Sequence, residues 1–165
     1  METIIAKKLT LESYHPYGEF ANLVQPEGQY IGDYPARFFR DMVSVYTGNA
    51  VTSFSIVHTD RQEMVPTEAE QHASATEVLL PLEDDIVIFV APATDKRYPY
   101  GQTEAFIVPK GTLITIKPGV WHKAPYPVNR DKAATLVILP EREYALDCYV
   151  MAIDSERNFR IICEQ

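Results

Sequence analysis

The hydrophobic positions of the chain fall in short runs that are separated by polar turns. No long window repeats its apolar residues at the helical spacing of three to four positions, so the pattern predicts strands. The predicted strands are 3–8, 38–46, 51–57, 77–82, 85–91, 104–108, 113–116, 135–139, 145–153 and 159–163. One short helix is predicted over residues 11–14, with Thr10 as its N-cap and Pro16 ending it.

Two of these runs are apolar on both faces, which indicates strands covered from both sides. They are Ile-Val-Ile-Phe-Val at 86–90 and Leu-Val-Ile-Leu at 136–139. Many short strands at regular spacing, some of them doubly buried, are typical of a β-sandwich or barrel. The length of 165 residues suits one domain, and we predict a single domain over 1–165.

Composition and charge narrow the expected partners. The chain has 15 Lys and Arg against 23 Asp and Glu, a net charge of −8. Nucleic-acid binding requires clustered basic residues, so a nucleic-acid partner is not expected. No apolar run approaches the roughly 20 residues of a membrane helix, and the first residues lack the charge order of a secretory signal. We therefore expect a cytoplasmic protein that acts on a small molecule away from membranes.

Histidines and carboxylates recur in a pattern that suits catalysis or metal binding. Glu70 and His72 are two residues apart, which places them on one face of a strand. Glu77 opens the next strand, and His122 follows a Pro-Gly turn. Imidazole nitrogens and carboxylate oxygens suit Zn, Mn, Ni or Fe, and the same groups suit acid–base chemistry near neutral pH. The residues alone leave both interpretations open.

The order of these residues resembles that of the cupin superfamily. The first cupin motif carries His-x-His followed by Glu, and the second carries Pro-x-Gly-x-x-His. Glu70 stands at the first histidine position, while His72, Glu77 and His122 match the remaining three. The second motif is one residue shorter here, because Pro118 and Gly119 are adjacent.

Longer stretches resemble one branch of that superfamily, the ureidoglycolate lyase family (also called ureidoglycolate hydrolase). The resembling segments are Tyr17-Gly-Glu19, Arg37-Phe-Phe-Arg-Asp41, Glu77-Val-Leu-Leu-Pro81 and Val120-Trp-His122-Lys-Ala-Pro125. Two positions depart from the family pattern. Glu77 stands where the family usually has glutamine, and Lys123 replaces the second histidine of a Trp-His-His stretch.

The resemblance implies an all-β, cupin-like double-stranded β-helix (a jelly-roll barrel) with little helix. It also implies cleavage of ureidoglycolate to glyoxylate and urea, which needs no organic cofactor. The expected catalytic residues are His72, His122, Glu77 and Lys123, and the expected substrate-binding residues are Arg37, Arg40, Tyr17 and Tyr126. A divalent metal would lie among Glu70, His72, Glu77 and His122.

Two other functions fit the same residues. Glu77 and Lys123 favour a different metal-dependent cupin enzyme, such as an isomerase or epimerase acting on a small sugar or keto acid. A non-catalytic domain that binds small acids is the third possibility. We also expect a homodimer, because aromatic residues are abundant and the Phe38-Phe39 pair lies between Arg37 and Arg40.

Overall fold

The structure is a computed structural model that describes residues 1–47 and 50–163. Short strands dominate these ranges, and each of the two helices has four residues. The strands are β1 (Glu2–Lys8), β2 (Phe20–Asn22), β3 (Tyr30–Ile31), β4 (Phe38–Phe39), β5 (Thr52–Asp60), β6 (Glu68–Gln71), β7 (Glu77–Pro81), β8 (Ile86–Val90), β9 (Glu104–Val108), β10 (Thr112–Ile116), β11 (Tyr126–Pro127), β12 (Lys132–Pro140), β13 (Tyr149–Ala152) and β14 (Phe159–Ile162). The helices are α1 (Leu11–Tyr14) and α2 (Glu143–Leu146).

Two five-stranded sheets form the body of the protein. Sheet I has the order β11-β8-β9-β1-β14, and sheet II has the order β2-β10-β7-β12-β5. The chain passes repeatedly from one sheet to the other, as between β7 and β8, between β9 and β10, and between β11 and β12. This alternation between two facing sheets is that of a jelly roll. The predicted all-β, cupin-like barrel with little helix is confirmed.

The core lies on both faces of sheet I. Between the sheets, alternate residues of β8 (Ile86, Ile88 and Val90) pack against Leu79 of β7 and Ile114 of β10. On the other face, Phe89 packs with Trp121 and Phe159. Strand β8 is therefore buried along its whole length, which is why its sequence is apolar at every position.

The predicted strands mostly match the structure, but two are wrong in extent. Segment 38–46 is a strand only at Phe38–Phe39, where it pairs with β3; within the described part of the chain its remaining residues join no sheet. Segment 145–153 begins in α2 and becomes a strand only at Tyr149. Apolar, β-branched composition alone does not supply the pairing partner that a strand needs.

The short helix α1 is confirmed, including its cap. Thr10 has an extended backbone, and its hydroxyl accepts from the Ser13 backbone N–H. The Ser13 hydroxyl accepts in turn from the Thr10 backbone N–H. This capping box satisfies free N–H groups of the first turn. None of the helices in the described ranges has the length and apolarity that crossing a bilayer requires.

Candidate active site

The site is built around Glu77, the first residue of β7. Glu77 pairs with Ile116 of β10 and points to the same side of sheet II as Leu79, because residues two apart share a face. That side faces the core between the sheets. The carboxylate is consequently only 7% exposed, and a charge at such depth requires partners.

Two histidines supply those partners. The Nε2 atom of His72 lies 3.1 Å from Glu77 Oε2, and the Nε2 atom of His122 lies 2.8 Å from the same oxygen. The two imidazole rings are 5.3 Å apart between centroids. Both histidines are buried, at 5% and 2% exposure. We call this group the His72–Glu77–His122 trio.

Backbone carbonyls fix the orientation of both imidazole rings. The Nδ1 atom of His72 lies 2.8 Å from the carbonyl oxygen of Asp147, and that of His122 lies 2.9 Å from the carbonyl oxygen of Val120. A carbonyl only accepts, so each Nδ1 carries a hydrogen and donates it. A neutral ring then presents a bare lone pair at Nε2, facing the Glu77 carboxylate. Protons or a metal cation must occupy this space.

Without a metal, the contacts within the trio favour protonation of the rings. Burial lowers the pKa of His72, but the bonds to Glu77 and to the Asp147 carbonyl outweigh it and raise the pKa to about 9. Burial also lowers the pKa of His122, but the charge of Glu77 and the hydrogen bond to it outweigh burial and raise the pKa overall. Burial alone would raise the pKa of Glu77, yet the two imidazoles lower it to about 2.

The trio also fits a divalent metal. One ligand atom from each residue lies within 4.8 Å of the others. Two imidazole nitrogens and a carboxylate oxygen suit Zn, Mn, Ni or Fe. The Nδ1–H bonds to carbonyls are the second-shell contacts that metal-binding histidines usually make.

Glu70, the fourth residue of the predicted metal set, lies outside the trio. Its carboxylate accepts from the Lys123 ammonium at 2.8 Å, and Glu68 lies 3.5 Å from the same ammonium. Strand β6 ends at Gln71, so the alternation that would give Glu70 and His72 a common face does not extend to His72. The structure therefore brings together three of the four predicted ligands.

Lys123 is held by these acidic neighbours. Partial burial lowers the pKa of its ammonium, but the bond to Glu70 and the charges of Glu70 and Glu68 raise it overall. Lys123 stays protonated and its charge is already paired. Its expected catalytic role remains a prediction from the sequence.

The two arginines expected to bind substrate lie elsewhere. Arg37 sits 3.7 Å from Asp33 and stacks over the Tyr30 ring at 5.4 Å. Arg40 donates to Gln29 at 3.2 Å and borders a cavity of about 970 Å³ that no residue of the trio lines. Neither contact involves a residue of the trio. The two arginines are expected at the site because segment 37–41 resembles the family and a guanidinium can hold a carboxylate. In the structure the intervening Phe38 and Phe39 belong to the small β3–β4 ribbon.

The two expected substrate-binding tyrosines are packed in the core. Tyr17 donates its hydroxyl to Glu104 at 2.8 Å and contacts the core between the sheets. Tyr126 lies in the cluster on the other face of sheet I, and burial raises its pKa to about 12. In these positions both rings contribute to packing.

Helix α2 holds residues that sequence reasoning did not identify. Its C-cap, Asp147, accepts from the backbone N–H groups of Ala73 and Ser74 at 2.9 and 2.7 Å, directly after His72. Glu143 is buried on the same helix, and its Oε1 meets no ordinary donor among the described residues. Burial, followed by the neighbouring Asp147 carboxylate, raises the pKa of Glu143.

The electrostatic environment of Glu143 includes both His72 and Glu77, so α2 lies beside the trio. The sequence offered one usable signal for it. Glu143 and Asp147 are four residues apart, which is the spacing of contacts on one helix face. The spacing does not by itself predict a helix, because a helix of four residues is too short to show a repeating pattern of apolar positions.

The family comparison matches almost the whole chain. The ureidoglycolate lyase family matches residues 1–160, a range that includes the trio, Lys123 and α2. The chain belongs to the ureidoglycolate lyase family. The resemblance seen in the sequence is thereby confirmed. No curated protein gives a significant match.

Several solved structures are similar in shape at low identity. A dTDP sugar isomerase from Desulfovibrio desulfuricans G20 has a TM-score of 0.49 and 14% identity, covering 86% of this chain and 88% of that chain. A dTDP-4-dehydrorhamnose 3,5-epimerase from Elizabethkingia anophelis NUHP1 has a TM-score of 0.43 and 11% identity, covering 81% and 71%.

Oxalate decarboxylase from Bacillus subtilis has a TM-score of 0.45 and 14% identity over 63% of this chain. The match spans about a quarter of the oxalate decarboxylase chain, 24% of its length.

Proposed function

We propose that this member of the family cleaves ureidoglycolate into glyoxylate and urea. The observation that carries the proposal is the convergence of two buried imidazoles on one buried carboxylate oxygen. Such a group can give and take a proton without exposure to bulk water. Membership of the ureidoglycolate lyase family supports the choice of substrate.

The reaction is a proton-neutral elimination. The hydroxyl O–H and the carbon–nitrogen bond break, the carbon–oxygen double bond of glyoxylate forms, and the urea nitrogen gains a proton. The site must therefore donate a proton to the leaving nitrogen and accept the hydroxyl proton. No electron acceptor is needed, because the electron pair of the broken bond leaves with urea.

The trio can carry out both proton transfers. With its pKa raised to about 9, His72 is an imidazolium at neutral pH and can protonate the departing nitrogen through Nε2. The same nitrogen, once it has lost its proton, can accept one again, with Glu77 Oε2 balancing the charge. The Asp147 and Val120 carbonyls keep both rings oriented throughout.

The trio would also hold the metal in the metal-loaded protein. A divalent ion on His72, Glu77 and His122 would polarise a bound hydroxyl or carboxylate oxygen as a Lewis acid. Occupation by a metal and double protonation of the rings exclude each other. Elemental analysis of protein prepared without chelators therefore decides which form is present.

Release of urea from ureidoglycolate tests the function directly. We expect His122→Ala to lower turnover by roughly 10²–10⁴-fold, the usual cost of removing a positioned acid or base. His58 lies exposed on β5, so His58→Ala is the matched control and should retain turnover. Each protein is assayed after chelation and again with Mn, Ni or Zn.

A wild-type protein that releases no urea under any of these conditions would contradict the proposal. The same trio would then suit proton transfer in a sugar or keto acid, the alternative that Glu77 and Lys123 favour.

A further inference from the structure

A salt bridge between Glu70 and Lys123 lies directly beside the trio. The backbones of Glu70 and His122 exchange two hydrogen bonds, of 2.7 and 2.9 Å. Residues that face each other in such an antiparallel pair carry their side chains on the same side, with Cβ atoms about 5 Å apart. Lys123 follows His122 in the chain, and its ammonium lies 2.8 Å from Glu70 Oε2. The Glu70–Lys123 pair is therefore a neighbour of the His122 imidazole.

The same pair adjoins the segment that holds His72. The Cys148 thiol donates to Glu70 Oε2, with 3.8 Å between sulfur and oxygen. The residue before it, Asp147, provides the carbonyl oxygen that lies 2.8 Å from His72 Nδ1. The Glu70 charge also contributes to the raised pKa of His72, after the nearer groups. Glu70 thus lies between the two segments that orient the imidazoles.

The Glu70–Lys123 pair is open to solvent and keeps unused hydrogen-bonding capacity. The trio's side chains are at most 10% exposed, whereas those of Glu70 and Lys123 are 21% and 30% exposed. Within the described ranges, every hydrogen bond of the Glu70 side chain ends on Oε2, so Oε1 is left to accept from a ligand. An ammonium has three N–H donors, and its two acidic contacts, Glu70 and Glu68, leave one of them.

The charges of this pair favour a neutral polar group over an anion. Two carboxylates, at 2.8 and 3.5 Å, already share the single Lys123 ammonium, so a third carboxylate would be repelled. A free carboxylate oxygen beside an ammonium instead offers one acceptor and one donor side by side. A ureido group carries N–H donors next to a carbonyl oxygen, which is the complementary arrangement.

We propose that Glu70 and Lys123 form the subsite for the ureido group of the substrate. Glu70 Oε1 accepts from the terminal amino group, and the Lys123 ammonium donates to the carbonyl oxygen. The inference rests on the proposed function and adds to it the residues that select the leaving group. Because the pair adjoins both imidazoles, a ureido group held there presents its nitrogen to the proton donors of the trio. In this assignment Glu70 recognises the substrate and is not a metal ligand.

Calorimetry with two stable analogues tests the subsite. Hydantoate (ureidoacetate) lacks the hydroxyl that elimination needs, and N-acetylglycine has a methyl group in place of the terminal amino group of hydantoate. We expect the wild type to bind hydantoate about 10- to 100-fold more tightly, the range for a hydrogen bond to a charged group, and Glu70→Ala to bind both alike. Lys123→Met should weaken both about equally, because both analogues keep the carbonyl. Glu68→Gln, the matched control on the same strand, should stay within about twofold of the wild type.

Glu70→Gln keeps the size of the side chain and decides the question if Glu70→Ala does not fold. Its amide has one acceptor oxygen in place of two, so the preference for hydantoate should fall about threefold or more. A wild type without the preference, or Glu70 variants that retain it in full, would overturn the subsite. If the preference depends on Glu70 but no urea is released from ureidoglycolate, the lyase assignment fails and the subsite stands. If urea is released and the preference ignores Glu70, the subsite fails and the lyase stands.

Discussion

A single carboxylate oxygen organises the chemistry of the site. Oε2 of Glu77 meets both Nε2 atoms, and each imidazole is fixed at Nδ1 by a backbone carbonyl. The rings cannot change tautomer without breaking those bonds. The rings can therefore carry protons at Nε2, and the same three residues could hold a metal cation in place of those protons.

Metal-free protein should be most stable in a mildly acidic window. The pKa of His72 rises from 6.5 to about 9, so its contribution is complete below pH 6.5 and is lost as the pH rises through 9. The pKa of Glu77 falls from 4.5 to about 2, so its contribution is complete above pH 4.5 and is lost as the pH falls through 2. Melting temperatures measured with chelator should therefore be highest between pH 4.5 and pH 6.5, where both contributions are complete.

Glu77→Gln is the control for that profile, because an amide does not ionise and no longer stabilises the protonated form of the imidazoles. Its melting temperature should be lower and should vary less with pH. Added divalent metal should stabilise the wild type increasingly with pH, because binding requires unprotonated rings. A wild-type profile that is flat in the presence of chelator would contradict these assignments.

Helix α2 is small, and it is held by polar contacts. Asp147 joins the helix to the segment after His72, and the buried Glu143 lies beside Asp147 on the same helix. The outward side chains Tyr144 and Leu146 are exposed. The helix therefore depends on the acidic pair for its position over the trio.

Asp147→Ala should loosen this attachment. It removes the acceptor for two backbone N–H groups and for the Ser74 hydroxyl, so we expect a loss of about 2–4 kcal/mol in the free energy of unfolding. Glu143→Gln retains a donor toward Asp147 and should cost less than about 1 kcal/mol. Urea denaturation measures both. Equal losses would show that the acidic pair is not the support.

The turn after α1 packs closely on β10. A Cβ atom at Gly18 would lie 1.8 Å from the Thr115 carbonyl oxygen, a backbone atom that cannot move aside alone. Gly18→Ala should therefore cost about 3 kcal/mol or more, since it forces a backbone shift. Gly101→Ala is the control: its φ of +79° is strained but the space is open, so we expect about 1 kcal/mol. Thermal unfolding of both variants measures the difference.

At the scale of the molecule, sheet II has an outer face that is partly apolar. Phe54 pairs with Ile138 and Ile56 pairs with Leu136, on the face opposite Ser53 and Val57. Phe54 and Ile56 are 69% and 50% exposed. They lie on β5, a nine-residue strand at the edge of its sheet. Such an edge is normally covered or paired.

We expect a second copy of the chain to cover this edge, as in the homodimer predicted from the sequence. Two β5 strands related by a twofold axis can pair antiparallel, so one patch complements itself. Light scattering should give a dimer mass for the wild type and a monomer mass for Phe54→Glu with Ile56→Glu. Phe38→Glu should remain dimeric. A wild-type monomer at micromolar concentration would contradict the expectation.

The fold class and all three residues of the trio follow from the sequence. The apolar run of β8 and the turn residues between strands predict the fold class, because the spacing of apolar and polar residues can be seen directly in the sequence. His72, Glu77 and His122 are predictable because each lies in a short motif that resembles a cupin motif. Glu70 was added by assuming that strand alternation continued past Gln71, where the strand ends.

The surroundings of the trio depend on tertiary packing. Asp147 reaches His72 across 75 positions of sequence, and β7 meets β12 through a strand pairing that no local pattern specifies. Strand periodicity is a local property that depends on backbone geometry. The neighbours of a buried charge are set by how distant segments pack.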